Sequence, residues 1–197
     1  MITIRYNFTE TEINKLLKEN FKILYDTREQ INDHILAYFD KQKLPYKRQK
    51  IDEGDYTAVI TARPEMGITR DIYFPVGVER KNSVDELANN LAEKADTRDD
   101  IRLERELIRA KMKHIKMFLV VEDSNGLENI MKGNYRSLYT PKAFMGKLSS
   151  LQDKYIQNTV FTSASNSGYH IYRILYYSVR NFLKEGEIEI NGTQNIK

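Results

Sequence analysis

Three acidic residues lie at the ends of segments that predict β-strands. Asp26 ends the apolar run FKILYD, Asp55 begins GDYTAVITA, and Glu79 closes RDIYFPVGVERK. Carboxylates that converge at neighbouring strand ends can bind a hard divalent cation such as Mg²⁺. Because positions i and i+2 of a strand share a face, the ammonium group of Lys81 would lie beside that cation. There it could orient water or stabilise charge on a phosphate, which is the outline of a nuclease centre.

The spacing alone leaves a purely structural interpretation open. The chain contains 28 acidic and 31 basic residues, so short charged patterns of this kind arise often. Asp26 could be a turn former at the end of its strand, and Asp55 could be the polar half of a Gly-Asp turn. Glu79 could be a charge at the rim of the sheet, paired with Arg80.

The segments around these residues predict alternating strands and helices. The strands GDYTAVITA and RDIYFPVGVERK are joined through Pro64 and Gly67, which predicts a hairpin. SVDELANNLAEKA starts with an N-cap serine, and a longer helix from about Asp99 to His114 precedes the apolar strand KMFLVVED. This alternation predicts an α/β fold in which helices flank a mixed central sheet.

Composition limits the class of protein. A chain of 197 residues, 41% of them hydrophobic, is long enough for one domain with a real core. The absence of cysteine excludes disulfides and thiolate zinc sites and favours a reducing, intracellular location, expected to be cytoplasmic. No apolar run approaches the roughly 20 residues that span a bilayer, so no membrane partner is expected. A net charge of +3 is too small to demonstrate a polyanionic partner.

Three motifs then follow one another along the chain, YDTRE at Tyr25–Glu29, EGDY at Glu53–Tyr56 and VERKNSVDEL at Val78–Leu87. Together they resemble the ordered signature of the XPF family of structure-specific DNA endonucleases. Arg102 and Glu122 also match this family, which carries an arginine opening the helix before an apolar strand and an acid ending that strand. The resemblance covers about residues 22–183 and implies a restriction-endonuclease-like core related to the PD-(D/E)XK nucleases.

The resemblance implies roles for particular residues of this chain. The catalytic residues that it implies are Asp26, Asp55, Glu79 and Lys81. The ligands of Mg²⁺ or Mn²⁺ that it implies are Asp26, Asp55, Glu79 and Glu29. The supporting or phosphate-contacting residues that it implies are Arg28, Arg80, Asp85 and Arg102.

Basic residues of the helix after Asp99 recur at spacings of three and four, which places them on one stripe. These residues are Arg102, Arg105, Arg109, Lys113 and Lys116. Phosphate contacts from such a stripe would give strongly salt-dependent DNA binding, and we expect it from Arg105, Arg109 and Lys113. The alternative is an ordinary solvated helix face, since Glu104 and Glu106 dilute the positive charge.

The last predicted helix, SGYHIYRILYYSVRNFLKEG, is apolar over more of its circumference than one packing face requires. Such a helix is buried either in the core or at a subunit contact. We expect a homodimer formed through it.

These observations predict a metal-dependent endonuclease acting on branched or flapped DNA in recombination or repair, including Holliday-junction resolution. The alternatives are a less selective DNA nuclease and a catalytically silent DNA-binding scaffold. We expect an N-terminal strand-helix extension (1–20), a nuclease domain (21–185) and a polar tail (186–197). Cellular members of the family carry helix-hairpin-helix modules after the core. Only about 13 residues follow Lys184, which favours a stand-alone, phage-like domain, acting in the host cytoplasm if viral.

Overall fold

The computed structural model describes the backbone of residues 2–5, 7–92, 102–185 and 187–190, and the side chains of residues 7–91 and 103–185. The described strands are β1 (Ile2–Arg5), β2 (Phe21–Tyr25), β3 (Tyr46–Arg48), β4 (Tyr56–Ile60), β5 (Ile72–Tyr73), β6 (Val76–Lys81), β7 (Lys116–Val121), β8 (Ile156–Phe161) and β9 (Glu187–Ile190). The described α-helices are α1 (Glu10–Glu19), α2 (Asp33–Lys41), α3 (Val84–Ala92), α4 (Arg102–Met112), α5 (Gly126–Lys132), α6 (Pro141–Lys154) and α7 (Ala164–Glu185). A single 3-10 turn, Pro64–Met66, lies between β4 and β5.

Seven strands form one mixed sheet in the order β3-β2-β4-β6-β7-β8, with β5 pairing with β4. Strands β6, β7 and β8 run parallel, and so do β2 and β3, while β4 runs antiparallel to both β2 and β6. Helices cover both faces, so the predicted α/β architecture is confirmed. The carboxyl ends of β2, β6 and β7 and the beginning of β4 therefore lie at the same edge of the sheet.

Each face of the sheet has its own apolar core. On one face α1 contributes Ile13, Leu16 and Leu17, and α7 contributes a row of residues four positions apart. That row is Ile171, Leu175, Val179 and Leu183. On the other face α3, α4 and α6 pack against β7 through the opposite side chains of that strand, including Leu119 and Val121. The helical spacing of the apolar residues thus decides which side of each helix packs against the sheet.

Two described strands have no counterpart among the sequence predictions. Strand β3 has only three residues, and its side chains lie mostly exposed at the sheet edge, so it carries no alternating pattern. Strand β9 lies in the segment predicted to be a loose polar tail and pairs antiparallel with β1. Both strands depend on partners that are distant in sequence, which a local pattern does not reveal.

Helix α7 is less uniformly buried than its sequence suggests. Its Ile171 row is fully buried, and several aromatic residues, among them Tyr172 and Phe182, pack partly against the same core. Tyr169 and Tyr177 remain 46% and 56% exposed. Most apolar residues of α7 therefore pack against the core of the same chain. The predicted homodimer stays a prediction.

Within the described residues, no helix combines the length and the apolar character that crossing a membrane requires.

Candidate active site

Asp55 is held by backbone bonds between two neighbouring strands. Its carbonyl oxygen accepts a hydrogen bond from the backbone N–H of Asp26 (2.8 Å), directly after β2. Its own N–H donates to the carbonyl of Val78 in β6 (2.9 Å). The carboxylate of Asp55 in turn accepts a hydrogen bond from the backbone N–H of Arg80 (2.8 Å). The sheet itself therefore brings Asp55 next to the Glu79-Arg80-Lys81 segment.

The turn before Asp55 requires a glycine. Gly54 has a φ of +84°, in the left-handed region that side chains disfavour. A Cβ atom at this position would also lie 3.3 Å from the carbonyl oxygen of Val78. The N–H of Gly54 donates to Oε1 of Glu106 at 2.6 Å, so a residue of α4 fixes this turn.

A cavity of about 360 Å³ opens at this edge of the sheet. Its walls are almost entirely charged or polar. The lining residues are Arg28, Glu29, Asp55, Glu79, Arg80, Lys81, Glu86, Asn90, Leu103 and Glu106. The structure thus brings together six of the residues that the sequence singled out, and adds Glu86, Asn90 and Glu106.

Glu79 and Lys81 lie side by side on the cavity side of β6. Nζ of Lys81 donates to Oε1 of Glu79 at 2.7 Å, and Glu86 lies 3.7 Å away on its other side. Burial lowers the pKa of Lys81, but the adjacent Glu79 carboxylate outweighs burial and raises the pKa above its ordinary value. Lys81 is therefore a firmly charged ammonium group.

The carboxylates of this cavity are not fully compensated. Oε2 of Glu79 is buried and has no hydrogen-bond partner among the described residues. Burial and the neighbouring charge of Glu79 raise the pKa of Asp55 well above its ordinary value. The pKa of Glu106 is raised by burial and by Glu79 as well. An unpaired oxygen beside repelling carboxylates is an environment that a cation would stabilise.

The donor set fits a magnesium-type ion. Among the described residues, no three acidic or histidine side chains already surround one point closely enough to hold a metal. Mg²⁺ does not need such a cage, because it is commonly held by one or two carboxylates together with waters and substrate phosphate oxygens. Asp55 and Glu79 provide two carboxylates, one of them with an unused oxygen atom.

Asp26 is engaged elsewhere and does not line the cavity. Its Oδ1 accepts hydrogen bonds from the backbone N–H and Nε of Arg28 (2.8 and 2.6 Å), and its Oδ2 accepts one from the N–H of Ile51 (2.6 Å). Burial raises the pKa of Asp26, but the bonds from Arg28 and Ile51 outweigh it and lower the pKa below the ordinary value. Asp26 therefore positions Arg28, whose side chain reaches the cavity wall.

Arg80 lines the cavity, and its guanidinium group takes part in a network of ion pairs on the other face of β6. Its guanidinium group binds both carboxylate oxygens of Glu122 (2.9 and 2.7 Å) and one oxygen of Glu29 (3.3 Å). His34 contacts Glu122 at 2.7 Å, and the hydroxyl of Tyr56 donates to Glu29 at 3.1 Å. Burial lowers the pKa of Arg80, but Glu122 outweighs burial and raises it. Burial raises the pKa of Glu29 in spite of Arg80.

Two residues of the predicted basic stripe, Arg109 and Lys113, are paired with acidic residues. Nε of Arg109 lies 3.0 Å from Oε1 of the buried Glu53, and Nζ of Lys113 lies 3.1 Å from the same oxygen. Lys113 also contacts Asp52 at 3.3 Å. Lys113 follows the end of α4, and Lys116 lies in β7. The side chain of Arg102 lies outside the described residues, and that of Arg105 takes part in an interaction of its own.

Asp85 faces away from the cavity. Its Oδ1 accepts a hydrogen bond from the backbone N–H of Arg136 (2.7 Å), and its Oδ2 lies 3.6 Å from Nε of that residue. It therefore connects α3 to the loop before α6. The neighbouring Glu86 lines the cavity instead, and accepts a hydrogen bond from the N–H of Asn82 (2.8 Å).

Glu106 is a charged cavity residue that the sequence did not assign to the site. From the sequence alone it is an acid that dilutes the basic stripe. A signal was nevertheless present, because Leu103, Leu107 and Ala110 bury one face of α4 and Glu106 lies on that face. A charged residue on the apolar face of a helix is rarely buried without a partner, and here its partner is the turn before Asp55.

Comparisons with known proteins identify the family and the fold of this chain. The family model of the ERCC4 domain matches residues 25–174. Among solved structures, XPF from Aeropyrum pernix is similar to this chain with a TM-score of 0.55 and 18% sequence identity, over 89% of this chain and 69% of that chain. A likeness at this level of identity shows the fold. No curated protein matches the chain at a significant level. The ERCC4 family model matches most of this chain, including every motif that contributes residues to the cavity. This chain therefore belongs to the ERCC4 domain family of nucleases.

Proposed function

We propose that the protein is a divalent-metal-dependent endonuclease that hydrolyses DNA phosphodiester bonds at branched or flapped structures. One observation carries the metal dependence. A polar cavity contains Asp55, Glu79 and Lys81, and Oε2 of Glu79 has no partner among the described residues. The excess of buried negative charge at this point is what a metal ion would neutralise.

Asp55 and Glu79 would hold Mg²⁺ or Mn²⁺. When bound, the ion supplies Lewis acidity to the scissile phosphate and lowers the pKa of a coordinated water. Lys81 presents a permanently charged ammonium group 2.7 Å from Glu79, so it would orient water and stabilise negative charge that develops on the phosphate. Release of Lys81 from Glu79 would let the ammonium group face the substrate.

The remaining residues divide into substrate contacts and supports. The half-exposed Arg28 at the cavity wall would contact a phosphate of the DNA, and Asp26 would keep that guanidinium in place. Glu106 would hold the Gly54–Asp55 turn. Glu29 would complete or support the metal site, because the bonds from Tyr56 and Arg80 occupy only its Oε2 and it lines the cavity.

The family membership supports branched or flapped DNA as the proposed substrate and a proposed role in recombination or repair. A homodimer through α7, with Tyr169 and Tyr177 available on its exposed side, is a further part of the proposal.

Labelled substrates test the proposal directly. The wild-type protein is incubated with a four-way junction, a flap, a duplex and a single strand, each with Mg²⁺, with Mn²⁺ and with EDTA. We expect cleavage of the branched substrates with metal and none with EDTA. Glu79→Gln should lower the rate by on the order of a hundredfold or more, because it removes a charged ligand. Glu65→Gln, an exposed glutamate in the turn after β4, is the matched control and should cleave normally.

Two outcomes would reject the proposal. Cleavage that persists in EDTA would exclude a metal ion as the source of the nucleophile. Metal-dependent cleavage by Glu79→Gln at the wild-type rate would exclude the assigned site. Equal rates on all four substrates would leave the enzyme a less selective nuclease.

A further inference from the structure

A second charged feature lies beside the cavity, at the open edge of the sheet. The segment from residue 41 to residue 50, KQKLPYKRQK, contains five basic residues and no acid. Three of them lie at the carboxyl end of β3, which is the terminal strand of the sheet, or directly after it. We call these three the basic edge, and they are Lys47, Arg48 and Lys50, all exposed.

The basic edge has no acidic counterpart. Among the described residues, no ion pair joins Lys47, Arg48 or Lys50 to a carboxylate. The guanidinium group of Arg48 donates instead to the backbone carbonyl of Thr27 at 2.5 Å. The α4 cations differ in this respect, since Arg109 and Lys113 share the buried Glu53. Among these described cations, the ones that have no acidic partner therefore lie on the β3 side of the cavity.

The basic edge is tied to the loop that forms the cavity wall. The N–H of Gln49 donates to the carbonyl of Tyr25 (2.9 Å), and the N–H of Ile51 donates to Asp26 (2.6 Å). Arg28 returns a hydrogen bond to the carbonyl of Ile51 (3.2 Å). Arg28 is 53% exposed and lines the cavity, so positive charge continues from the sheet edge to the site.

We propose that the basic edge binds the phosphate backbone of a DNA duplex arm and, through Arg28, leads one strand to Asp55 and Glu79. This inference rests on the proposed nuclease function. Exposed lysine and arginine side chains on both sides of one strand suit a repeating polyanion, and such contacts position DNA without reading its sequence. The DNA path then runs along β3 and not along α4.

Charged residues on an edge strand have a second use, which is to prevent pairing with the edge of another molecule. Phosphate binding and protection of the sheet edge predict different effects when the lysines are removed. If the lysines bind phosphate, their removal weakens DNA binding. If they only protect the edge, their removal promotes self-association and leaves DNA affinity unchanged.

The experiment is a salt titration of DNA affinity with Lys47→Gln/Lys50→Gln. Binding of a labelled duplex arm and of a four-way junction is followed by fluorescence anisotropy in EDTA, so that no cleavage occurs. The matched control is Lys15→Gln/Lys18→Gln, which removes the same charge from exposed positions of α1, beside the amino end of β2 and away from the cavity. Thermal unfolding and light scattering of both variants show whether each is folded and whether it self-associates.

We expect binding by the β3 variant to be about tenfold weaker at 0.1 M salt, with a salt slope smaller by roughly two because two phosphate contacts are lost. The control should keep the wild-type affinity within about twofold. A folded β3 variant with wild-type affinity and slope would overturn the inference, and so would a wild-type protein that does not bind DNA. The inference survives, and the proposed function fails, if the wild type binds DNA through these lysines but never cleaves it with metal.

Discussion

The buried charges on the two faces of strand β6 differ in how completely they are paired. Arg80 points to the α7 side, where Glu122 and Glu29 occupy its guanidinium group and His34 contacts Glu122. Glu79 and Lys81 point to the cavity side, where one oxygen of Glu79 has no partner among the described residues and Asp55 lies close enough to repel it. Adjacent residues of one strand thus belong to two different networks. We call the Arg80 side, where the charged groups are paired, the saturated face, and the Glu79 side, where one carboxylate oxygen is unpaired, the unsaturated face.

This difference separates residues that support the fold from residues that serve the function. In a buried ion pair each member offsets the cost of burying the other, so removing one member leaves an expensive uncompensated charge. A buried carboxylate oxygen without a hydrogen-bond donor costs free energy at all times, and persists where a ligand compensates it. The Arg80 side is therefore expected to respond to mutation through stability, and the Glu79 side through activity and metal binding.

The largest effect is expected on the saturated face. Glu122→Ala leaves Arg80 buried without its main partner, so the free energy of unfolding should fall by about 3–5 kcal/mol. Urea denaturation measures this loss. Glu128→Ala removes an exposed glutamate paired only with Lys132 and should cost at most about 1 kcal/mol. Equal losses in the two variants would contradict the assignment of the Arg80 network as a structural support.

The unsaturated face should give a smaller change of stability, with the opposite sign. Asp55→Asn removes a carboxylate that Glu79 repels, so in EDTA the variant should be more stable than the wild type by about 1 kcal/mol. It should also lose cleavage and the stabilisation that added Mg²⁺ gives to the wild type. A variant that is less stable in EDTA would show that Asp55 is needed for the fold.

The smallest effect is a difference in pH dependence. Burial raises the pKa of Glu122, but the hydrogen bonds from Arg80 and His34 outweigh it and lower the pKa below 4.5, so its stabilising contribution is present above that pH and is lost as the pH falls. The pKa of Asp55 is raised above 3.8, so the folded protein binds a proton there more readily than the unfolded chain does. The contribution of Asp55 to the stability of the metal-free wild type therefore falls as the pH rises through the raised pKa.

Denaturation without added metal at several pH values between about 3 and 8 measures both trends. The excess of the free energy of unfolding of Asp55→Asn over that of the wild type should shrink as the pH is lowered towards 4. The loss of free energy of unfolding in Glu122→Gln, relative to the wild type, should stay constant from pH 8 to pH 5 and shrink only below about 4.5. Parallel curves for the wild type and Asp55→Asn would show that the Asp55 carboxylate is not destabilised in the folded protein.

Much of the fold could be predicted because its signals are local. Thr9 and Glu12 form the capping box that the sequence of α1 suggests, with both reciprocal hydrogen bonds present. The alternation of β6 places Glu79 and Lys81 on one side, because neighbours two positions apart share a face of a strand. The ordered motifs predicted the family, since each lies within one strand end or turn.

The amino-acid sequence by itself thus determined most of the helices, the main strands and six of the residues that line the cavity, but not helix α5 or the cavity residues Glu86, Asn90 and Glu106. Only the tertiary structure decided which charges are already paired there. Glu53 neutralises Arg109 from 56 positions away, Glu122 binds Arg80 across 42, and Asp26 turns from the cavity to hold Arg28. Ion pairs form between side chains that the packed sheet and helices bring within a few ångströms, and no local pattern of residues encodes that proximity.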